Sequence, residues 1–185
     1  MVSKHYFEDL SQNLLHIDTN SLKVIIKLLE ATIKRKNFVF CCGNGGSAAI
    51  SNHFEVDFIK GVNQASDKQS RFISLSSNVE IISAIANDTG FENIFLNQFK
   101  VLAKKNDVIF CISSSGNSKN IIKILKYAKN NGYKSVLLSG FDGGKGKKLA
   151  NYNIHIKSYN YGIVEDCHQS IMHFITMALM KKVKI

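Results

Sequence analysis

His53 and Asp57 stand four residues apart, and Glu165 and His168 three apart, in segments whose apolar spacing is helical. At those separations a helix carries both members of a pair on one face. An imidazole and a carboxylate held together can divide general-acid and general-base work. Two such pairs, brought together, also offer two nitrogens and two carboxylates to zinc. Taken singly, each pair reads more readily as a surface ion pair or as a partly buried histidine satisfied by its neighbour. A third feature weights the chemistry: Ser113, Ser114, Ser115 and Ser118 crowd into "SSSGNS" (113–118), between an apolar run and an amphipathic one. Hydroxyls and main-chain amides at the start of a helix suit a phosphate dianion. Capping a helix takes one Ser or Asn, for about 0.5–2 kcal/mol, and four serines exceed that need. His5, His16, His155 and His173 have no such company and are read as structural.

A second loop, "GNGGS" (43–47), frees the backbone to turn sharply and aim N–H groups at an anion. Gly43, Gly45 and Ala48 also satisfy the dinucleotide pattern G-x-G-x-x-A. That reading expects an acidic residue about 20 positions on, at the end of the next strand, to hold a ribose. Here that strand ends "SLSSN", and the serine loop favours a phosphate monoester instead.

The elements that must position these groups repeat one unit: a β-branched or aromatic run, a Gly/Ser loop, then an amphipathic segment. "NFVFCCGNGGS" leads into the His53 segment, "RFISLSSN" into "VEIISAIAND", "DVIFCISSSGNS" into "KNIIKILKYAKNN", and "SVLLSGFDGG" into "KGKKLANY". A short run "NIHIKS" precedes the last helix, "GIVEDCHQSIMHFITMALMKK". This alternation predicts an α/β fold with a mostly parallel sheet flanked by helices in three layers. Loops following parallel strands open on one edge, where ligands bind, so the two loops are expected to be neighbours. Residues from about 5 to 35 read as an N-terminal helical arm, with Asn20 or Ser21 as cap of its second helix.

The chain has 185 residues, the length of one domain, and no linker divides it. Apolar residues at 45% and charged residues at 21% are ordinary for a globular protein, and no run approaches a membrane span. Charges from the fourth residue on do not read as a signal peptide, so a cytoplasmic protein without a membrane partner is expected. Cys41, Cys42, Cys111 and Cys167 include no CxxC, which removes a zinc ribbon or a redox pair. The net charge of +10 is spread over scattered lysines. That describes a basic surface attracting anionic substrates rather than a nucleic-acid footprint.

The stretches "CGNGGSAA" (42–49), "HF" (53–54), "SAIANDTGFENIF" (83–95), "ISSSGNS" (112–118), "SGFDGGK" (139–145) and "EDCH" (165–168) together resemble the sugar isomerase (SIS) family, and within it the bacterial phosphoheptose isomerases. The resemblance runs essentially end to end. It implies a single SIS domain over 1–185, in a homotetramer with active sites between subunits and the helical arms packed at its centre. It implies ketose–aldose isomerisation of sedoheptulose 7-phosphate to glycero-manno-heptose 7-phosphate, for lipopolysaccharide or capsule. Phosphate would be held by Ser113, Ser114, Ser115 and Ser118, with Asn44, Gly45, Gly46, Ser47, Asn87, Asp88 and Glu165 around the sugar. Asp57 matches the family's basic glutamate, and His168 is taken as its acid. Zinc would be held by His53, Asp57, Glu165 and His168.

Two departures bear on this. Asp for Glu at 57 shortens the arm by one methylene, and a misplacement on the order of 1 Å can cost about 100-fold in rate. The family's usual "RIQE" reads "IVED" (163–166), which puts a carboxylate, Glu165, where a glutamine is common. Two other readings share the fold: an isomerase of another sugar phosphate in surface-polysaccharide synthesis, and a non-enzymatic SIS protein that binds a replication initiator or senses sugar phosphates. The second can dispense with the acid/base pair, which this chain retains.

Overall fold

The computed structural model describes residues 2–65 and 69–183. Two helices, α1 (Val2–Leu15) and α2 (Thr19–Lys34), precede strand β1 (Phe38–Cys42). There follow α3 (Gly46–Val56), a π-helical turn (Asp57–Val62), β2 (Arg71–Ser74), α4 (Val79–Thr89), a 3₁₀ turn (Phe91–Asn93) and α5 (Ile94–Leu102). The chain then runs through β3 (Val108–Ser113), α6 (Lys119–Asn130), β4 (Lys134–Ser139), α7 (Gly146–Leu149), β5 (Tyr152–His155) and α8 (Tyr161–Val183). The strands pair in the order β2-β1-β3-β4-β5, every pairing parallel. The strand order therefore reverses between β1 and β3, and the crevice beyond their carboxyl ends is where ligands of such sheets bind. The loops carrying "GNGGS" and "SSSGNS" leave those two strands.

Helices cover both faces of the sheet, so the expected three-layer α/β/α arrangement is present. One face packs Ile25, Leu29, Phe54, Phe58, Val164 and Ile175 from α2, α3, the π turn and α8. The other packs Phe95, Phe99, Ile121 and Leu125 from α5 and α6. The four cysteines are buried and free, packed as small hydrophobes. No helix among the described residues is long and apolar enough to cross a membrane.

Three local details differ from the sequence reading. Asp18, not Asn20 or Ser21, caps α2: its carboxylate accepts from the Asn20 amide at 2.9 Å and from the Ser21 hydroxyl at 2.7 Å. An Asp at this position also favours the positive end of the helix. The "KGKKLANY" segment forms a single turn, α7, because the chain straightens at Ala150 to enter β5. The 3₁₀ turn and α5 occupy a stretch to which the sequence reading assigned no element.

Candidate active site

Two helices begin at the crevice, and neither uses a side chain as its cap. Gly45 is the N-cap of α3 with φ +54°, a left-handed conformation that favours glycine. Ser118 is the N-cap of α6, yet its side chain makes no capping bond. The amide donors and positive ends of both helices therefore face a cavity of about 290 Å³. Asn44, Gly45, Gly46, Ser47, Ser113, Ser114, Ser115 and Ser118 line it, with Glu165 and Tyr161 from α8. The Ser114 hydroxyl is buried and without a hydrogen-bond partner among the described residues. Such a group costs about 1–3 kcal/mol until something pairs with it. The serines and helix-opening amides around the cavity suit an acceptor-rich guest, which is what a phosphate supplies.

The crevice walls are tied together. Asn44 and Asn120 exchange amide hydrogen bonds of 3.0 and 2.9 Å, joining the first loop to α6. The Gly43 amide donates to the Ser76 hydroxyl at 3.1 Å, and that hydroxyl donates back to the Gly43 carbonyl at 2.9 Å. Gly116, at φ +61°, lies so close to the Gly143 carbonyl that a Cβ would collide with it. The Glu165 carboxylate lies against Gly46, and a Cβ there would displace it.

Farther along the same helix a second set of groups meets. Asp57 opens the π turn that follows α3, a distortion often found at functional sites. Edge-on contacts of Phe54 with Phe58, Phe72 and Phe110, at 5.0, 5.1 and 5.2 Å, clamp this segment to the sheet. His173 Nδ1 lies 3.2 Å from Asp57 Oδ2, and His53 Nε2 lies 3.6 Å from Asp57 Oδ1. The Gln169 amide nitrogen is 3.0 Å from His53 Nδ1 and 2.9 Å from His173 Nε2. The histidine rings meet edge to face at 5.0 Å. His53, Asp57 and His173 present ligand atoms within 4.8 Å of one another. Two imidazoles and a carboxylate form a donor set that fits zinc or a similar divalent ion.

The structure assembles most of the expected site, with corrections. The eight cavity-lining residues of the two loops and Glu165 converge as expected. Asn87 and Asp88 do not reach the cavity of their own chain; they lie exposed on α4, hydrogen-bonded to each other at 2.9 Å. His168 does not join Asp57. It is fully buried, and neither ring nitrogen has a hydrogen-bond partner among the described residues. Burial pushes its pKa down to about 4, and the nearby Ser139 main chain, short of a well-formed hydrogen bond to the ring, opposes this only in part. An imidazole sealed in the core can neither shuttle protons with a sugar nor ligate zinc beside His53. His173, read from the sequence as structural, holds that place instead. The signal was available: His168 falls in register with Val164, Ile171, Ile175 and Leu179, the apolar stripe of α8, whereas His173 stands off it. Gln169 and Asn120 were also missed, and nothing in their spacing singles them out.

The SIS domain family model matches residues 5–140. The phosphoheptose isomerase of Helicobacter pylori strain P12 is 37% identical over 154 residues, covering 83% of this chain and 80% of its own. That of Leptospira biflexa is 33% identical over 163 residues, covering 88% and 84%. The solved structure of phosphoheptose isomerase GmhA from Neisseria gonorrhoeae superposes with a TM-score of 0.87 at 25% identity, over 96% of each chain. A parallel sheet with its phosphate-sized crevice at the switch point, and these likenesses over most of the chain, place the protein in the SIS domain family, among the phosphoheptose isomerases.

Proposed function

We propose that the protein converts sedoheptulose 7-phosphate into glycero-manno-heptose 7-phosphate, supplying heptose for lipopolysaccharide or capsule. The observation that carries this reading is the placement of two devices along one helix. Glu165 stands on the wall of the serine-lined cavity, and His173 in the Asp57 cluster, eight residues and roughly 12 Å farther along α8. That separation suits an extended sugar whose phosphate lies at the end remote from its carbonyl. Relatives of similar length named as phosphoheptose isomerases support the same substrate.

In this mechanism Ser113, Ser114, Ser115 and Ser118, with the amides opening α6, hold the phosphate. Anchoring the remote end orders a flexible open-chain sugar and brings the reacting carbons to the acid and base. Asp57 removes a proton from C1, next to the ketose carbonyl, leaving a cis-enediol. His173 gives its Nδ1 proton to the C2 oxygen and then takes the proton of the C1 hydroxyl. Asp57 then returns a proton to C2, and the aldose results. Glu165, at the cavity wall, accepts hydrogen bonds from sugar hydroxyls. His53, Asp57 and His173 would hold a zinc ion in each subunit, and such an ion polarises the carbonyl and diol oxygens. Asn87 and Asp88 fit this account as residues offered to a neighbouring subunit's site within a homotetramer.

Replacing Asp57 with Asn tests the assignment. The variant is expected to bind sedoheptulose 7-phosphate in a calorimeter as wild type does and to lose turnover by at least about 100-fold, in the range of general-base removal. Wild-type turnover in that variant would remove Asp57 from the reaction.

A further inference from the structure

Asp57, His53, Gln169 and His173 form a closed ring of polar contacts, and Gln169 closes it on the side away from the carboxylate. Its Nε2 faces both imidazoles, 3.0 Å from His53 Nδ1 and 2.9 Å from His173 Nε2. A primary amide nitrogen carries two hydrogens and no acceptor lone pair, so it donates to both rings. Each ring nitrogen that accepts is then unprotonated, and in a neutral imidazole the proton must reside on the other nitrogen. For His53 that is Nε2 and for His173 it is Nδ1, the two atoms that face Asp57 at 3.6 and 3.2 Å. In this state both rings aim N–H groups at the carboxylate, and neither aims a lone pair into the space between them.

Turning the amide over exchanges these roles. Gln169 Oε1 would accept from Nδ1–H of His53 and Nε2–H of His173, and the lone pairs of His53 Nε2 and His173 Nδ1 would face Asp57. Two imidazole lone pairs and a carboxylate then converge, as a divalent cation requires. One side chain thus touches both histidines and dictates both tautomers at once.

We propose that Gln169 is a positioning residue which sets the tautomers of His53 and His173 together, holding the cluster in a proton-transfer state in one orientation of its amide and in a cation-binding state in the other. The inference rests on the same cluster as the isomerase reading and deepens it. Hydrogen-bond partners of this kind behind metal ligands change affinity by about 10- to 100-fold when removed.

Ring-nitrogen NMR on ¹⁵N-histidine protein, with zinc titrated in, tests this without any sugar, so the result is independent of which sugar phosphate is the substrate. Metal-free wild type should show His53 protonated at Nε2 and His173 at Nδ1, and zinc should reverse both together. Gln169→Leu should lose the single tautomer at His53 and bind zinc about 10- to 100-fold more weakly. Gln169→Met, of similar volume to the native residue, serves the same purpose if Leu unfolds the helix. Gln169→Glu, whose carboxylate only accepts, should show the zinc-type tautomers before metal is added and bind zinc at least as tightly as wild type. Wild-type tautomers in metal-free Gln169→Glu, or zinc binding in that variant as weak as in Gln169→Leu, would overturn the proposal.

Discussion

Two histidines five residues apart on α8 meet opposite surroundings. His173 keeps nearly half its side chain open and touches Asp57, whereas His168 is fully buried and meets no side-chain partner among the described residues. Replacing His173 with Asn should cost about 10²–10⁴ in turnover, the size of a lost acid/base group, and leave phosphate binding intact. Replacing His168 with Leu should leave turnover within a few-fold and leave the unfolding midpoint at neutral pH no lower, since among the described residues no side chain pairs with its ring nitrogens. The sign of the pH dependence follows from burial. His168 stays neutral in the folded protein down to about pH 4, while the unfolded chain takes up its proton near 6.5. The unfolded state therefore binds more protons below pH 6.5, and stability falls as the pH drops from about 6.5 to about 4, by roughly 3 kcal/mol for a shift of that size. Denaturant titrations should show that acid-side loss in wild type and its shrinkage in His168→Leu; equal losses in both would place the titrating group elsewhere.

At the scale of elements, the site depends on helices begun by backbone rather than by side-chain caps. Gly116 shows the constraint most plainly, with positive φ and the Gly143 carbonyl where its Cβ would go. Gly116→Ala should destabilise the protein by about 1–2 kcal/mol from backbone strain alone and raise KM for the sugar phosphate more than it lowers kcat, because the displaced loop is the one that holds phosphate. Steady-state kinetics alongside thermal melts check this; an unchanged KM would separate the serine loop from phosphate binding. The repeating strand–loop–helix units were legible because parallel strands buried on both faces read as apolar runs and their loops as Gly/Ser clusters. The cavity was legible for the same reason: both its loops follow strands that flank the switch point. What decides between His168 and His173 is a rotation about the α8 axis. Asp57 and His173, 116 residues apart, meet only because the phenylalanines of α3 and the π turn fix that segment on the sheet. Spacing within α8 sets His173 off the apolar stripe, but it does not say that Asp57 is the group it meets.

Over the whole molecule, apolar side chains remain exposed on the N-terminal arm, which the resemblance assigns to assembly, and on α8. Leu15 is 81% exposed, Phe7 66%, Met177 58% and Phe174 53%, and Leu14, Leu15, Ile17, Leu22, Ile171 and Phe174 line a groove between α1, α2 and α8. Continuous apolar surface of this kind marks association. Sedimentation analysis should find a tetramer, and Leu15→Glu with Phe174→Glu should yield smaller species; a monomeric wild type would remove the neighbour role given to Asn87 and Asp88. The net charge of +10 should draw in the anionic substrate, so kcat/KM should fall as salt rises beyond the Debye regime of about 0.1 M. The central claim, that this crevice performs enediol isomerisation of a heptose phosphate, is tested most directly by incubating the protein with sedoheptulose 7-phosphate in D₂O, with zinc added, and following the sugar by NMR. The account predicts an aldoheptose phosphate carrying solvent deuterium at C2, absent with Asp57→Asn; a folded protein that binds the sugar yet neither forms aldose nor exchanges the C1 protons would contradict it.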